Sequence, residues 1–332
     1  MRIGILGAGG VGATVAGAVV KDKNAEIVLI ARGETKENVL KRGWILESEV
    51  LGDQIIHPAL VSDDPAEIGT VDVLVLACKS YSLKDVCDRY SSIVRDDTLV
   101  IPLQNGFMAA QQAQEALGKG QIAHGFIYCL SKIVEKGKVV NVGTLLRAGF
   151  GFPDGRKNER AEQLAAMMQA GGLPTIYTAD ILEPIWAKFM MICGNSCAFL
   201  YYDCPSGGIL EDSQRMAFLK GTYDDLYRLA EGAGVHLPED IRERYLQEFA
   251  AMPLNSTSSL YRDIKDGVPQ NELEQIVGNA VRLAREKKIE VEESISIPRE
   301  MEVADSVLCG VLGNALDNAI EACDRVSEKE RL

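Results

Sequence analysis

The chain begins Met1-Arg2-Ile3-Gly4-Ile5-Leu6-Gly7-Ala8-Gly9-Gly10-Val11-Gly12, and an Ala/Val-rich run continues to Val20. The apolar start fits a buried parallel strand, and the run after Gly12 fits a helix. Gly7, Gly9 and Gly12 have the spacing of a dinucleotide-binding turn. The first glycine makes the tight turn, the second lets a pyrophosphate approach the backbone, and the third lets helix and strand pack closely. Free N–H groups and the positive dipole end at the helix start favour the phosphates. The segment Gly7, Ala8, Gly9, Gly10, Val11 and Gly12 is therefore the expected cofactor cradle.

Residues 25–31 read as the second parallel strand. At its end, where an adenosine ribose would lie, NAD-binding units usually place an acidic residue. This chain has Arg32, whose guanidinium suits a 2′-phosphate and hence NADP. A surface arginine closing a strand end is the plainer alternative, and Glu34 keeps NAD open. Residues 44–47 and 55–61 look like a short strand pair beside the wound sheet. Residues 71–78 and 99–103 are further parallel strands. Lys79 and Asn105 follow at their C-terminal ends, the side on which open α/β sheets bind ligands. Both can converge on the nicotinamide ribose and a substrate; a solvated loop lysine and plain Asn-Gly turn chemistry are the alternatives.

Residues 121–146 are β-rich with a turn near Glu135-Lys136-Gly137-Lys138, 158–170 form an amphipathic helix, and 175–178 are the last strand. From Ile181 the pattern is helical. The expected fold is α/β, a Rossmann-type doubly wound sheet over residues 1–178 followed by an all-helical domain over 179–284 and an atypical tail over 285–332.

The helical part opens with Pro184-Ile185-Trp186-Ala187-Lys188-Phe189-Met190-Met191-Ile192-Cys193, apolar almost all round and so buried. Lys188 is the anomaly. A charged amine is costly there unless it snorkels, pairs or faces a wet cleft. Desolvation would lower its pKa and make it a usable proton donor near neutrality; a snorkelling edge lysine is the alternative. Asn195 lies seven residues further, two turns along the same face. Helices follow over 212–232 and 238–249. The cluster Asn255-Ser256-Thr257-Ser258-Ser259 reads as an N-cap, and Glu272 reads as a first-turn carboxylate.

Composition bounds the function. The 332 residues suffice for two cores, and a net charge of −13 argues against a nucleic-acid surface. The sequence given enters its first strand directly, so no leader peptide is expected, and no stretch reaches the ~18 apolar residues of a membrane span. A cytoplasmic protein with no membrane partner is expected. The eight cysteines contain no CxxC pair; Cys193, Cys197 and Cys204 read as buried thiols rather than zinc ligands, so no metal is expected. His236 reads as structural.

Taken together, the residues resemble the ketopantoate reductase (2-dehydropantoate 2-reductase) family over about residues 1–280. The order carries the resemblance: the glycine turn, Ala31-Arg32, Lys79, Gln104-Asn105-Gly106, Trp186-x-Lys188, Ser258-Ser259-Leu260 with Asp263, and Glu272 six residues before Gly278. It implies hydride transfer from NADPH to the ketone of a small 2-oxo acid, above all 2-dehydropantoate. By the same resemblance, Lys188 gives the proton to the forming alkoxide, and Glu272 holds the hydroxyl and the lysine. Lys79 and Asn105 position cofactor ribose and substrate, Ser259 meets the substrate carboxylate, and Asn195 contacts the substrate. The chain departs from the family at Ile192, where an Asn is usual, and at Ser196, where a second Asn falls one residue early as Asn195. The loop between Asp263 and Glu272 is one residue longer. A reductase of another 2-oxo acid, or a non-catalytic NADP-binding sensor, is the alternative.

The tail departs further. Residues 289–297 alternate as a strand, and 305–323 form an amphipathic pattern. Leu312-Gly313-Asn314-Ala315-Leu316-Asp317-Asn318 resembles the N-box of sensor histidine kinases, which implies metal contact by Asn318. The other boxes of such a site do not follow before Leu332, so ATP binding is not expected. A structural replacement for a terminal helix is expected, or a fusion or frame-change scar, with a homodimer or aggregation surface if the apolar face stays uncovered.

Overall fold

The computed structural model describes residues 1–287. The strand, amphipathic helix and kinase-like segment expected beyond residue 288 lie outside the described residues.

The chain alternates strand and helix from its first residues: β1 (Arg2–Leu6), α1 (Gly10–Val19), β2 (Glu26–Ile30), α2 (Gly33–Arg42), β3 (Trp44–Ser48), β4 (Gln54–Ile56), β5 (Leu60–Ser62), α3 (Pro65–Ile68), β6 (Val73–Leu76), α4 (Leu83–Tyr90), β7 (Leu99–Pro102), α5 (Ala109–Leu117) and β8 (Gln121–Ile122). One sheet has the order β5-β2-β1-β6-β7-β8, and its pairs are all parallel. Its strands are apolar because both faces are covered: Ile3 and Ile5 pack on one side, Leu6 and Leu76 on the other.

Two long strands follow, β9 (His124–Glu135) and β10 (Lys138–Gly151), then α6 (Glu159–Ala170) and β11 (Thr175–Tyr177). They build a second sheet, β11-β10-β3-β4, with β9 antiparallel on β10. The expected strand over 55–61 is therefore two. Ile55 and Ile56 pair with β3 in the second sheet, whereas Leu60 and Val61 join β2 in the first. His57-Pro58 breaks the run, and a proline cannot donate to either ladder. The β9–β10 hairpin lies against the start of α1, where the buried Asn141 amide donates to Thr14 Oγ1 at 3.1 Å.

The rest is helical: α7 (Leu182–Tyr202), α8 (Ser206–Leu210), α9 (Ser213–Gly232), α10 (Ile241–Ala250), α11 (Ser259–Lys265) and α12 (Asn279–Glu286). A π-helical turn, Glu274–Gly278, leads into α12. The long apolar α7 is the spine of this half. It ends where Asp203 takes a left-handed backbone, φ 48°. Gly194 lets it press on α9, since a Cβ there would lie 2.5 Å from the Tyr223 ring. No described helix is long and apolar enough to cross a membrane.

Candidate active site

The glycine turn is shaped for a phosphate. Gly7 has φ +118°, and a Cβ on it would lie 2.7 Å from the Ala77 carbonyl on the neighbouring strand end. A Cβ on Gly12 would lie 2.0 Å from the Gly7 carbonyl. Gly9 is the N-cap of α1 and brings no side chain, so the first N–H groups of the helix are left to an incoming anion. Above them sits β9: Ser131 Oγ occupies the space a Cβ on Gly10 would need, 1.7 Å away. At the end of β2, Arg32 is the exposed N-cap residue of α2, and its guanidinium makes no ion pair or hydrogen bond among the described residues. Glu34 is in the first turn of the same helix. A cradle open only to glycine at the start of α1 fits a dinucleotide, and the guanidinium past β2 stands where its adenosine ribose would lie.

Four polar side chains meet where the sheet faces the helices. Lys188 of α7 is 7% exposed, and its Nζ donates to Asn105 Oδ1 at 2.9 Å, joining α7 to the end of β7. Burial pushes the Lys188 ammonium down to about 8, against the opposing pull of Cys129 and Glu272. Glu272 is 5% exposed, and its Oε1 accepts from Ser80 Oγ at 2.6 Å and from the Ser80 N–H at 3.2 Å. Its Oε2 lies 3.5 Å from Lys79 Nζ, which also contacts Asp263 Oδ2 at 3.0 Å. Burial alone would lower the Lys79 pKa, but Glu272 and Asp263 outweigh it and hold this ammonium above its ordinary value. Gln104 stiffens the floor by donating to the Leu76 and Cys78 carbonyls, tying the ends of β6 and β7.

Lys79, Asn105, Lys188 and Glu272 are thus brought together. Ser259 is the exposed first residue of α11; the N-cap is Ser258, whose Oγ accepts from the Tyr261 N–H. Asn195 is not free toward the cleft. Its Oδ1 accepts from the Tyr223 hydroxyl inside the helical half. The Lys188–Asn195 spacing suggests a shared face but does not reveal that α9 would claim the amide. Ile192 is half-buried against the helical core, and Ser196 Oγ is buried without a hydrogen-bond partner. Among the described residues no group of three or more His, Cys, Asp or Glu is placed to hold a metal.

Sequence reasoning missed several neighbours. Ser80 orients Glu272, and its place beside Lys79 at a strand end was the available signal. Tyr128, whose ring centroid lies 5.5 Å from Lys188 Nζ, Cys129 and Ser131 all come from β9. Nothing local marks them, because only the hairpin's return across α1 brings them to the site.

Residues 3–152 match the family described as "Ketopantoate reductase PanE/ApbA", and residues 180–293 match "Ketopantoate reductase PanE/ApbA C terminal". The "Uncharacterized oxidoreductase YkpB" of Bacillus subtilis is 25% identical over 80% of this chain and 87% of its own. A "2-dehydropantoate 2-reductase" of Halobacterium salinarum is 26% identical over 88% of this chain and 94% of its own. Among solved structures, D-mandelate dehydrogenase in a ternary complex with NADH and anilino(oxo)acetate superposes with a TM-score of 0.76. It is 18% identical and covers 88% of this chain and 94% of its own.

Proposed function

Since the chain belongs to the ketopantoate reductase family of oxidoreductases, we propose that it reduces a 2-oxo acid to the 2-hydroxy acid with NADPH, its substrate being 2-dehydropantoate. The observation that carries this reading is Lys188: a buried ammonium with a pKa near 8, held by Asn105 and facing Glu272. A bound reduced nicotinamide supplies the hydride. Lys188 supplies the proton to the ketone oxygen as it becomes an alkoxide, and its charge stabilises that oxygen in a dry site. Asn105 fixes the ammonium's direction. Ser80 fixes Glu272, which restrains Lys79 and takes the product hydroxyl's hydrogen bond. Ser259 reaches the acid end from the rim.

NADPH rather than NADH is supported by the unengaged Arg32 guanidinium past β2. The cofactor segment belongs to a domain of residues 1–178 and the proton donor to a helical domain of 179–284. A second reading is favoured by Ile192 and by the engaged Asn195: the same reaction on a 2-oxo acid whose side chain lacks a hydroxyl. The test is NADPH consumption by the full chain with 2-dehydropantoate and a panel of 2-oxo acids. Turnover confined to another acid selects the second reading. Tight NADPH binding without turnover on any of them overturns both and leaves a sensor.

A further inference from the structure

A cavity of about 400 Å³ opens between α4, α5 and the π-helical turn. That is the size of a small-molecule site. Leu83 and Cys87 of α4 and Ala109 and Ala113 of α5 pack with Leu6 and Leu76, on the sheet face opposite the one that α1 covers. The cavity therefore lies apart from the glycine turn, and none of Lys79, Asn105, Lys188, Glu272 or Ser259 lines it.

Its polar groups are unevenly satisfied. At the buried end, Gln275 of the π-helical turn forms part of the wall, and its Oε1 is buried without a hydrogen-bond donor. A buried acceptor of this kind is costly unless something donates to it. Two carboxylates stand at the exposed rim, and one is already neutralised, since Asp88 pairs with Lys84 at 2.7 Å. Glu115 has the neutral Gln111 amide at 2.8 Å and no ion pair among the described residues. The unpartnered acceptor and the unbalanced carboxylate call for one class of occupant: a small ammonium compound carrying a second N–H or O–H donor.

Ser80 joins this cavity to the cleft described above. It lines the cavity, and its hydroxyl and N–H donate to Glu272 Oε1 at 2.6 and 3.2 Å. Gln275 follows Glu272 by three residues, and the next N–H, that of Ile276, donates to the Glu272 carbonyl. The same turn abuts Asn105-Gly106, because a Cβ on Gly106 would lie 3.5 Å from the Gln275 carbonyl. An occupant held by both Gln275 and Glu115 ties the segment that carries Glu272 to α5.

We propose that this cavity is an effector site for a small ammonium compound, which promotes reduction by holding Glu272 against Ser80. The effect on turnover rests on the reductase reading above; the binding does not.

The test titrates putrescine and aminobutanol into the full chain by calorimetry, with butanediol and succinate as controls. Both amines are expected to bind saturably, and neither control. Glu115→Gln should weaken the amines about tenfold or more, the size of a lost charge-assisted contact. Gln275→Met should do the same without lowering the melting temperature, because the acceptor it removes has no partner in the fold. In both variants kcat/KM for a 2-oxo acid without added amine stays within about twofold of wild type. Saturating putrescine should raise the wild-type value about fivefold, the lower end of ordinary coupling between two sites, and leave Gln275→Met unchanged. Succinate binding, or no binding by either amine, overturns the site. Amine binding that leaves wild-type turnover untouched overturns the link through Ser80. A wild-type protein that turns over no 2-oxo acid overturns the reductase reading and the effector role with it, while the calorimetry still decides the ammonium site.

Discussion

Replacing Lys188 by methionine should make the protein more stable and less active at once. The folded protein lowers this ammonium from 10.5 to about 8, because an apolar helix buries it. At neutral pH that difference costs the folded state about 3 kcal/mol, taking ~1.4 kcal/mol per tenfold change in the protonation equilibrium. Methionine of similar length removes the cost but also the hydrogen bond to Asn105, worth roughly 1.5 kcal/mol for a charged donor. The net expectation is a gain of about 1–2 kcal/mol. The sign fixes the pH dependence. A group whose folded pKa is depressed below its unfolded value is destabilising while protonated, fully so below about 8. The penalty shrinks as pH rises through the folded value and is gone near the unfolded one. Urea unfolding of both proteins across this range should show Lys188→Met ahead at neutral pH, with the gap closing toward alkaline pH. Turnover should fall about 10²–10⁴-fold, the usual worth of a general acid. A variant less stable at every pH, or a gap that ignores pH, would refute the desolvated ammonium.

Three further outcomes are expected. In wild-type enzyme, kcat/KM for reduction should hold steady below pH about 8 and decline above it, as Lys188 loses the proton it must give; a profile flat through that range removes it as the donor. Arg32→Ala should weaken NADPH at least roughly tenfold and NADH hardly at all, measured by direct titration of each cofactor; equal losses would sink the 2′-phosphate contact. Gly10→Ala should impair cofactor binding because the new methyl meets Ser131 Oγ, and adding Ser131→Gly should restore it; failure of the double variant would place the fault in the turn itself.

The parts legible in the sequence share a property: their signals are local. The glycine turn, the parallel strands and the lone lysine in an apolar helix each announce themselves within a dozen residues. Lys79 and Asn105 were findable because ligands gather at strand ends in open α/β sheets. What was not legible depends on chain return. Residues 55–61 look continuous, but His57-Pro58 hands the chain from one sheet to the other. Tyr128, Cys129 and Ser131 lie in a stretch that reads only as β-rich. Asn195 shows the limit of helical periodicity, which gives a face but not the neighbour that claims it.

The two lysines show how one cleft separates two jobs from one side-chain type. Desolvation disfavours the ammonium in each, strongly for the buried Lys188 and only partly for the exposed Lys79. Lys79 has two carboxylates at 3.0 and 3.5 Å and stays charged. Lys188 has an amide oxygen as its hydrogen-bond partner, an aromatic face nearby and a more distant Glu272, so burial prevails and its proton becomes transferable near neutral pH. Glu272 couples them. Its Oε2 faces Lys79, while its field raises Lys188 slightly back toward the charged form. Neutralising it as Glu272→Gln should therefore move the alkaline limb of the rate profile to lower pH while Lys79 keeps Asp263. Pairs of titratable groups pushed apart by their surroundings mark the division between a fixed charge and a proton donor. Here the division follows from which lysine sits in the apolar face of α7 and which sits at the open end of β6.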